Sequence, residues 1–418
     1  MLRRVLVMVT AACVLAACPP VHAETTSKQP YWPEFRGPRR DSISTETGLL
    51  KQWPADGPPL IWTYSDCGKG FSGVSIAEGK IFSAGDFGEK EVLFALDLNG
   101  KPLWTSPNGK SWRGSCPGSR TTPTYVDGVL YHMNPTGRVA ACRAKDGKEI
   151  WAVDLKRRFG ARFGVWALAE NLVVEGDKVL CLPGGSKALA AALDKNTGKT
   201  VWTTTGPADR AAYCTPVVVT HKGVRQMITM TARSVISVDV KTGRLLWSHP
   251  YQMGFPQHAT PPVYYQGHVF VACGHATGGT LLKINPDSSG VTKVWHIRRF
   301  DNCHGGVIRI GGRIYGSGCR VAGKGFHCVE FLSGKTIGVN ETVGKLSILY
   351  ADGMLYGLNH KGRMYLMDIV DSGVKVVSHF DMPGKRRTNI YLAHPVICGG
   401  RLYLREGKNL YAHDIRAK

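Results

Sequence analysis

The chain has 418 residues, 43% of them apolar, with 50 glycines and a formal net charge of +22. That apolar content is enough to bury a real core, and so many glycines favour a turn-rich fold over a helical one. No stretch beyond the N-terminus is long and apolar enough to span a bilayer. The positive field suits anionic partners such as polysaccharide or lipid head groups. Its clusters, Lys156-Arg157-Arg158 and Lys385-Arg386-Arg387, are scattered rather than gathered in a nucleic-acid motif, so no specific nucleic acid is expected.

Residues 1–23 read as an export signal. Arg3 and Arg4 precede an apolar run from Val5 to Ala17. Two cleavage sites compete: Leu15-Ala16-Ala17-Cys18 fits a lipoprotein box, and Val21-His22-Ala23 fits ordinary signal peptidase, which is favoured. The expected location is the periplasm or the exterior, with a lipid anchor if Cys18 is the processed end. Ten of the 12 cysteines follow this segment, and no spacing among them suggests zinc or haem. Cys319 and Cys328 flank a hairpin-like stretch and are the one local pair expected to form a disulfide.

After an extension over 24–59, one unit recurs eight times through 60–418. Its marker is a polar residue or Gly, then Gly, then a short apolar run, usually ending in an aromatic. The glycines are Gly79, Gly128, Gly176, Gly223, Gly267, Gly312, Gly353 and Gly400. Each marks a tight hairpin turn. A second marker follows in the better-kept units, as in "ALDKNTGKTVW" ending at Trp202 and "SVDVKTGRLLW" ending at Trp247. Strand-type runs with turns at this spacing, four to a unit, predict an all-β fold: an eight-bladed propeller of four-stranded antiparallel blades. Trp104, Trp151, Trp202, Trp247 and Trp295 are expected to lie across the gaps between blades as structural staples. The last unit lacks an outer strand, and an orphan, Leu60-Ile61-Trp62, precedes the first. The N-terminal strand is therefore expected to close the ring.

These features resemble the pyrroloquinoline quinone (PQQ) repeat family. Ala192, Asp194, Gly198 and Trp202 fit its tryptophan-docking motif, and Asp239, Gly243 and Trp247 fit it again. The opening "WPEFRGPRRDSIS" is similar to the start of an exported bacterial branch. The resemblance implies the fold. It leaves two functions open: a quinoprotein alcohol dehydrogenase with PQQ and calcium in the funnel, or a cofactor-free envelope scaffold. The chain lacks the adjacent cysteine pair and the long insertions of the dehydrogenases.

Ligands of propellers meet residues at the start of each innermost strand. Upstream of the eight turns these are Phe71-Ser72, Arg120, Trp166, Tyr213, His258, His304, Lys345 and His394. An Arg fork, a Lys, three imidazoles and two aromatics suit an anionic planar ligand, a quinone carboxylate or an acidic sugar. Asp301 is the nearest general-base candidate, and no local spacing forms a metal site. The expected function is a non-catalytic ligand- or partner-binding protein of the cell envelope, whose partner is an anionic small molecule, an acidic polysaccharide or an envelope protein. The alternative is a small PQQ-dependent oxidoreductase.

Overall fold

The computed structural model describes residues 29–206, 209–251, 257–319, 324–384 and 390–417. The expected export signal and the run Lys385-Arg386-Arg387 lie outside the described residues. The rest forms eight four-stranded antiparallel sheets, each a blade of one propeller. Seven are built from four strands consecutive in sequence. The eighth is closed by the orphan: Leu60–Tyr64 pairs antiparallel with Asn409–Asp414, so the ring has no open end between its termini.

The turn signals act where the sequence placed them. In six of the eight first hairpins both central residues have positive φ, as at Asp127 (48°) and Gly128 (80°). This is the primed turn whose twist matches its strands. At Gly176-Asp177 and Gly311-Gly312 only the first residue does, which a glycine accepts without cost. The described helix, Leu155–Phe159, is one turn long and capped by the Asp154 carboxylate.

The tryptophans join the blades. A β-bulge precedes each one and turns its indole towards the next blade. There the ring lies against the glycine of the neighbour's outer turn. A Cβ built on Gly198 would lie 2.6 Å from the Trp151 ring, and one on Gly243 2.7 Å from Trp202. Gly100, Gly147 and Gly334 receive Trp62, Trp104 and Trp295 in the same way. Each of these indoles also donates its Nε1–H to a carbonyl of that turn, at 2.9–3.1 Å.

Three gaps depart from this pattern. Trp247 is buried, but the next turn runs Asn285-Pro286-Asp287-Ser288 instead of ending in the docking glycine, and its Nε1 finds no acceptor among the described residues. Blade six carries Gly338 at the tryptophan position, where the backbone of Ser372 in blade seven closes in directly. Blade seven carries Ser378, and the missing ring comes from outside the repeat. Trp53 of the N-terminal extension donates its backbone N–H to Ser378 Oγ at 3.0 Å and packs edge-on against Phe380.

The extension also crosses one end of the central channel. Trp32 bridges Ile76 of blade one, Ile43 bridges Tyr350 of blade seven, and Leu49 bridges Arg416. Between them Arg36 is buried, donating to Ser42 Oγ at 2.8 Å and to the Val307 carbonyl at 2.7 Å. This end is thus plugged, and a ligand has the other.

The expected Cys319–Cys328 bond is not formed. Strand register sets Cys328 opposite Tyr315, leaving Cys319 four residues further along the hairpin, where it meets Cys303 instead.

Replacing Trp202 by Ala removes a buried indole and its hydrogen bond and should cost about 3–5 kcal/mol in chemical denaturation. Unchanged stability would refute the staple. Deleting Leu60–Trp62 should expose the edge of the last blade and produce aggregation on gel filtration; a monomer as heat-stable as the parent would refute closure by this strand.

Candidate functional site

The blade starts converge on the open end of the channel, around a cavity of about 840 Å³. Five of the expected residues line it: Arg120, Trp166, Tyr213, His304 and Lys345. They come from blades two, three, four, six and seven.

Arg120 anchors one wall. One terminal nitrogen donates to the carbonyls of Ser115 (2.9 Å) and Cys116 (2.8 Å), while its Nε is buried without a partner among the described residues. Burial lowers its pKa, although an arginine remains charged. A buried N–H lacking an acceptor is costly. Trp166 and Tyr213 stand beside it, edge to face with ring centroids 5.5 Å apart. Across the cavity lies Lys345. Burial first, then Lys345 and the imidazoles of His394 and His360, push His304 well below its ordinary pKa, so it is neutral at pH 7.

His258 and His394 lie outside the cavity. His258 is fully buried, donating through Nε2 to the Tyr251 carbonyl at 2.9 Å, and burial lowers its pKa to about 4. His394 donates to the His304 carbonyl at 3.1 Å and packs edge-on against Phe35 of the plug. Both hold the wall from behind. Ser72 is likewise buried and donates to the Thr121 carbonyl of the next blade at 2.7 Å. Asp301 is buried and spent on backbone: Oδ1 accepts the Cys319 N–H at 2.7 Å and Oδ2 the Ala276 N–H at 3.0 Å. It stands outside the cavity lining as a clamp between loops.

Residues missed in the sequence complete the lining. Lys324, Glu341, His275 and His360 sit on the other loops at this end, between second and third strands or before the next blade. Those loops share no motif across units. Only "NPTGR" at 134–138 and "NHKGR" at 359–363 hint that such loops are ordered. Among the described lining residues, three cations (Arg120, Lys324, Lys345) face one carboxylate, Glu341. The cations and the aromatic pair fit a planar polyanion such as PQQ. No described cluster of three or more metal-binding side chains is present.

Behind Ala169 of the wall, Glu170 is fully buried. Its Oε1 accepts the Leu182 N–H at 2.6 Å and its Oε2 has no partner among the described residues. Burial pushes its carboxyl up to about 8, against the pull of that N–H. The group is therefore protonated at neutral pH in the folded chain.

Comparison with known proteins places these features. The family profile described as outer membrane protein assembly factor BamB, of the PQQ-like repeat, matches residues 89–337. The chain is 27% identical over 157 residues to quinoprotein alcohol dehydrogenase PedH of Pseudomonas putida, covering 36% of this chain and 25% of that protein. It is 38% identical over 88 residues to the BamB of Salmonella typhimurium, covering 21% and 22%. The matched segments thus span a quarter or less of these relatives. The crystal structure of BamB from Moraxella catarrhalis superposes with a TM-score of 0.61 at 13% identity, over 86% of this chain and 98% of that one, a likeness of fold.

Glu170 yields a pH prediction. Its folded pKa lies above its unfolded one, so the stability it contributes is complete below the ordinary carboxylate range and is lost as pH rises towards about 8. Glu170→Gln mimics the neutral acid. Its melting temperature relative to the parent should climb steadily from pH 5 to pH 8; a constant difference would show that the carboxyl is not held protonated.

Proposed function

This chain belongs to the PQQ-like repeat family, and from that membership we propose that it is an exported propeller of the cell envelope that binds a planar or acidic-sugar polyanion in its open cavity. The observation that carries this reading is the unbalanced lining: Arg120, Lys324 and Lys345 against Glu341 alone, beside the rings of Trp166 and Tyr213. Charge-assisted hydrogen bonds from such cations are each worth about 1.5–3 kcal/mol. The aromatic faces add stacking for a flat ligand. Export is supported by the N-terminal segment and by kinship to BamB. The role is recognition: the cavity selects by charge and shape, and the plugged opposite end makes it a pocket rather than a channel.

A second reading is favoured by the same fork-and-ring lining together with the alcohol dehydrogenase relatives. Here the polyanion would be PQQ, which Arg120, Lys324 and Lys345 would hold by its carboxylates and Trp166 or Tyr213 by its ring. Bound there, the quinone would supply two-electron oxidation of an alcohol. Glu341, rather than Asp301, is the carboxylate at hand to accept a proton.

Calorimetric titration of PQQ and of acidic oligosaccharides tests both readings. Arg120→Ala should weaken the ligand that binds by about tenfold or more, with little change in the melting temperature of the free protein. Affinity should fall with salt, less steeply than at an exposed site. If neither class binds the parent, or the variant binds equally well, the cavity is not an anion site. Turnover of an alcohol with PQQ bound would select the second reading.

A further inference from the structure

Three loops meet at the base of the cavity wall: Gly274–Ala276, Asp301–His304 and Ser317–Cys319. Asp301 ties them, one carboxylate oxygen on the Cys319 N–H and the other on the Ala276 N–H. Its neighbour Asn302 takes the Thr260 hydroxyl at 2.6 Å and donates to the Ser317 carbonyl at 2.8 Å. In the space between these loops the Sγ atoms of Cys303 and Cys319 stand 3.0 Å apart. Gly274 keeps that space open, for a Cβ there would lie 2.6 Å from Cys303 Cβ and 3.3 Å from Cys319 Sγ. Both cysteines are buried, and Cys319 alone of the two is among the residues that line the cavity.

We propose that Cys303 and Cys319 form a disulfide that clips the loop after Ser317 to the base of the cavity. A disulfide needs its two Cβ atoms on facing, pre-positioned backbones, and the clamp by Asp301 and Asn302 supplies this. The oxidant is a low-molecular-weight or protein disulfide. The Cys319 thiolate attacks one donor sulfur, forming a mixed disulfide and releasing the other as a thiolate. The Cys303 thiolate then attacks Cys319, the intramolecular bond forms, and the second donor sulfur leaves. Two electrons pass to the donor, and the two cysteine protons pass through solvent to its two thiols. The bond joins Cys319, a residue of the cavity lining, to the loop Asp301–His304. It stands whether or not the cavity binds an anion.

Peptide mapping under non-reducing conditions tests the bond. Trypsin cuts at Arg309 and Arg313, between the two cysteines, so only a covalent link holds their peptides together. After incubation of the full protein with glutathione disulfide, the linked pair should appear with a mass two hydrogens below the sum of the thiols. It should persist in Cys328→Ser and vanish in Cys303→Ser. Oxidation should raise the melting temperature of the parent and of Cys328→Ser by roughly 3–6 °C, as expected for closing a short loop. Recovery of both cysteines as alkylated thiols after oxidation would overturn the proposal. A link from Cys319 to Cys273 or Cys328 instead would overturn it equally.

Discussion

An indole lying flat on a glycine that has no room for a Cβ is the contact that the ring depends on. In five of the eight gaps it buries a large apolar surface, and the indole N–H satisfies a turn carbonyl at the same point. The two halves of the contact come from different units, so neither blade is complete without its neighbour. Each defect has a local consequence. Without the docking glycine, Trp247 stays buried but leaves its N–H unpaired. Without a tryptophan, blade six lets backbone approach backbone at Gly338. At Ser378 the extension delivers Trp53 to the vacancy, which makes that segment part of the ring.

Closure of the ring rests on a second buried group. Arg405 of blade eight reaches into blade one and donates to the carbonyls of Ser72, Ala84 and Cys67 and to the Ser83 hydroxyl, at 2.6–3.0 Å. A buried guanidinium satisfied by carbonyls keeps its charge without an ionic partner. Together with the strand Leu60–Tyr64 it locks the first blade to the last. The same segment that supplies this strand also supplies Trp53 and the plug around Arg36. One stretch of chain therefore closes the ring, mends a gap and leaves the channel with a single mouth.

That mouth is where the family's two known roles diverge. A propeller held together at its rim places no chemical demand on its axis, so the same ring is found in dehydrogenases and in an assembly factor. Among the described residues that line it, the axis of this chain carries cations, aromatics and histidines, with one carboxylate. Burial makes the imidazole of His304 a hydrogen-bonding group rather than a charge. The electrostatic character of the cavity is thus set by its arginine and lysines rather than by that imidazole.

The number of blades, their order, the turn positions and closure by the orphan strand were legible in the chain itself, because each depends on spacing and on residues with strict conformational needs. Gly128 must accept positive φ, and Trp202 must fall four residues after Gly198. Five of the seven ring residues expected to bind ligand could be located because blade starts converge on the axis by symmetry. Tertiary structure alone decided the rest. Whether a histidine at a blade start faces the cavity or its back depends on what packs behind it: Phe35 for His394, Tyr251 for His258. Lys324 and Glu341 stand on loops that share no motif across units, so their convergence on the cavity is invisible in sequence. Cys303 meets Cys319, and not the nearer-seeming pairing of Cys319 with Cys328, because strand register and the Asp301 clamp set those distances, while sequence records only separation along the chain.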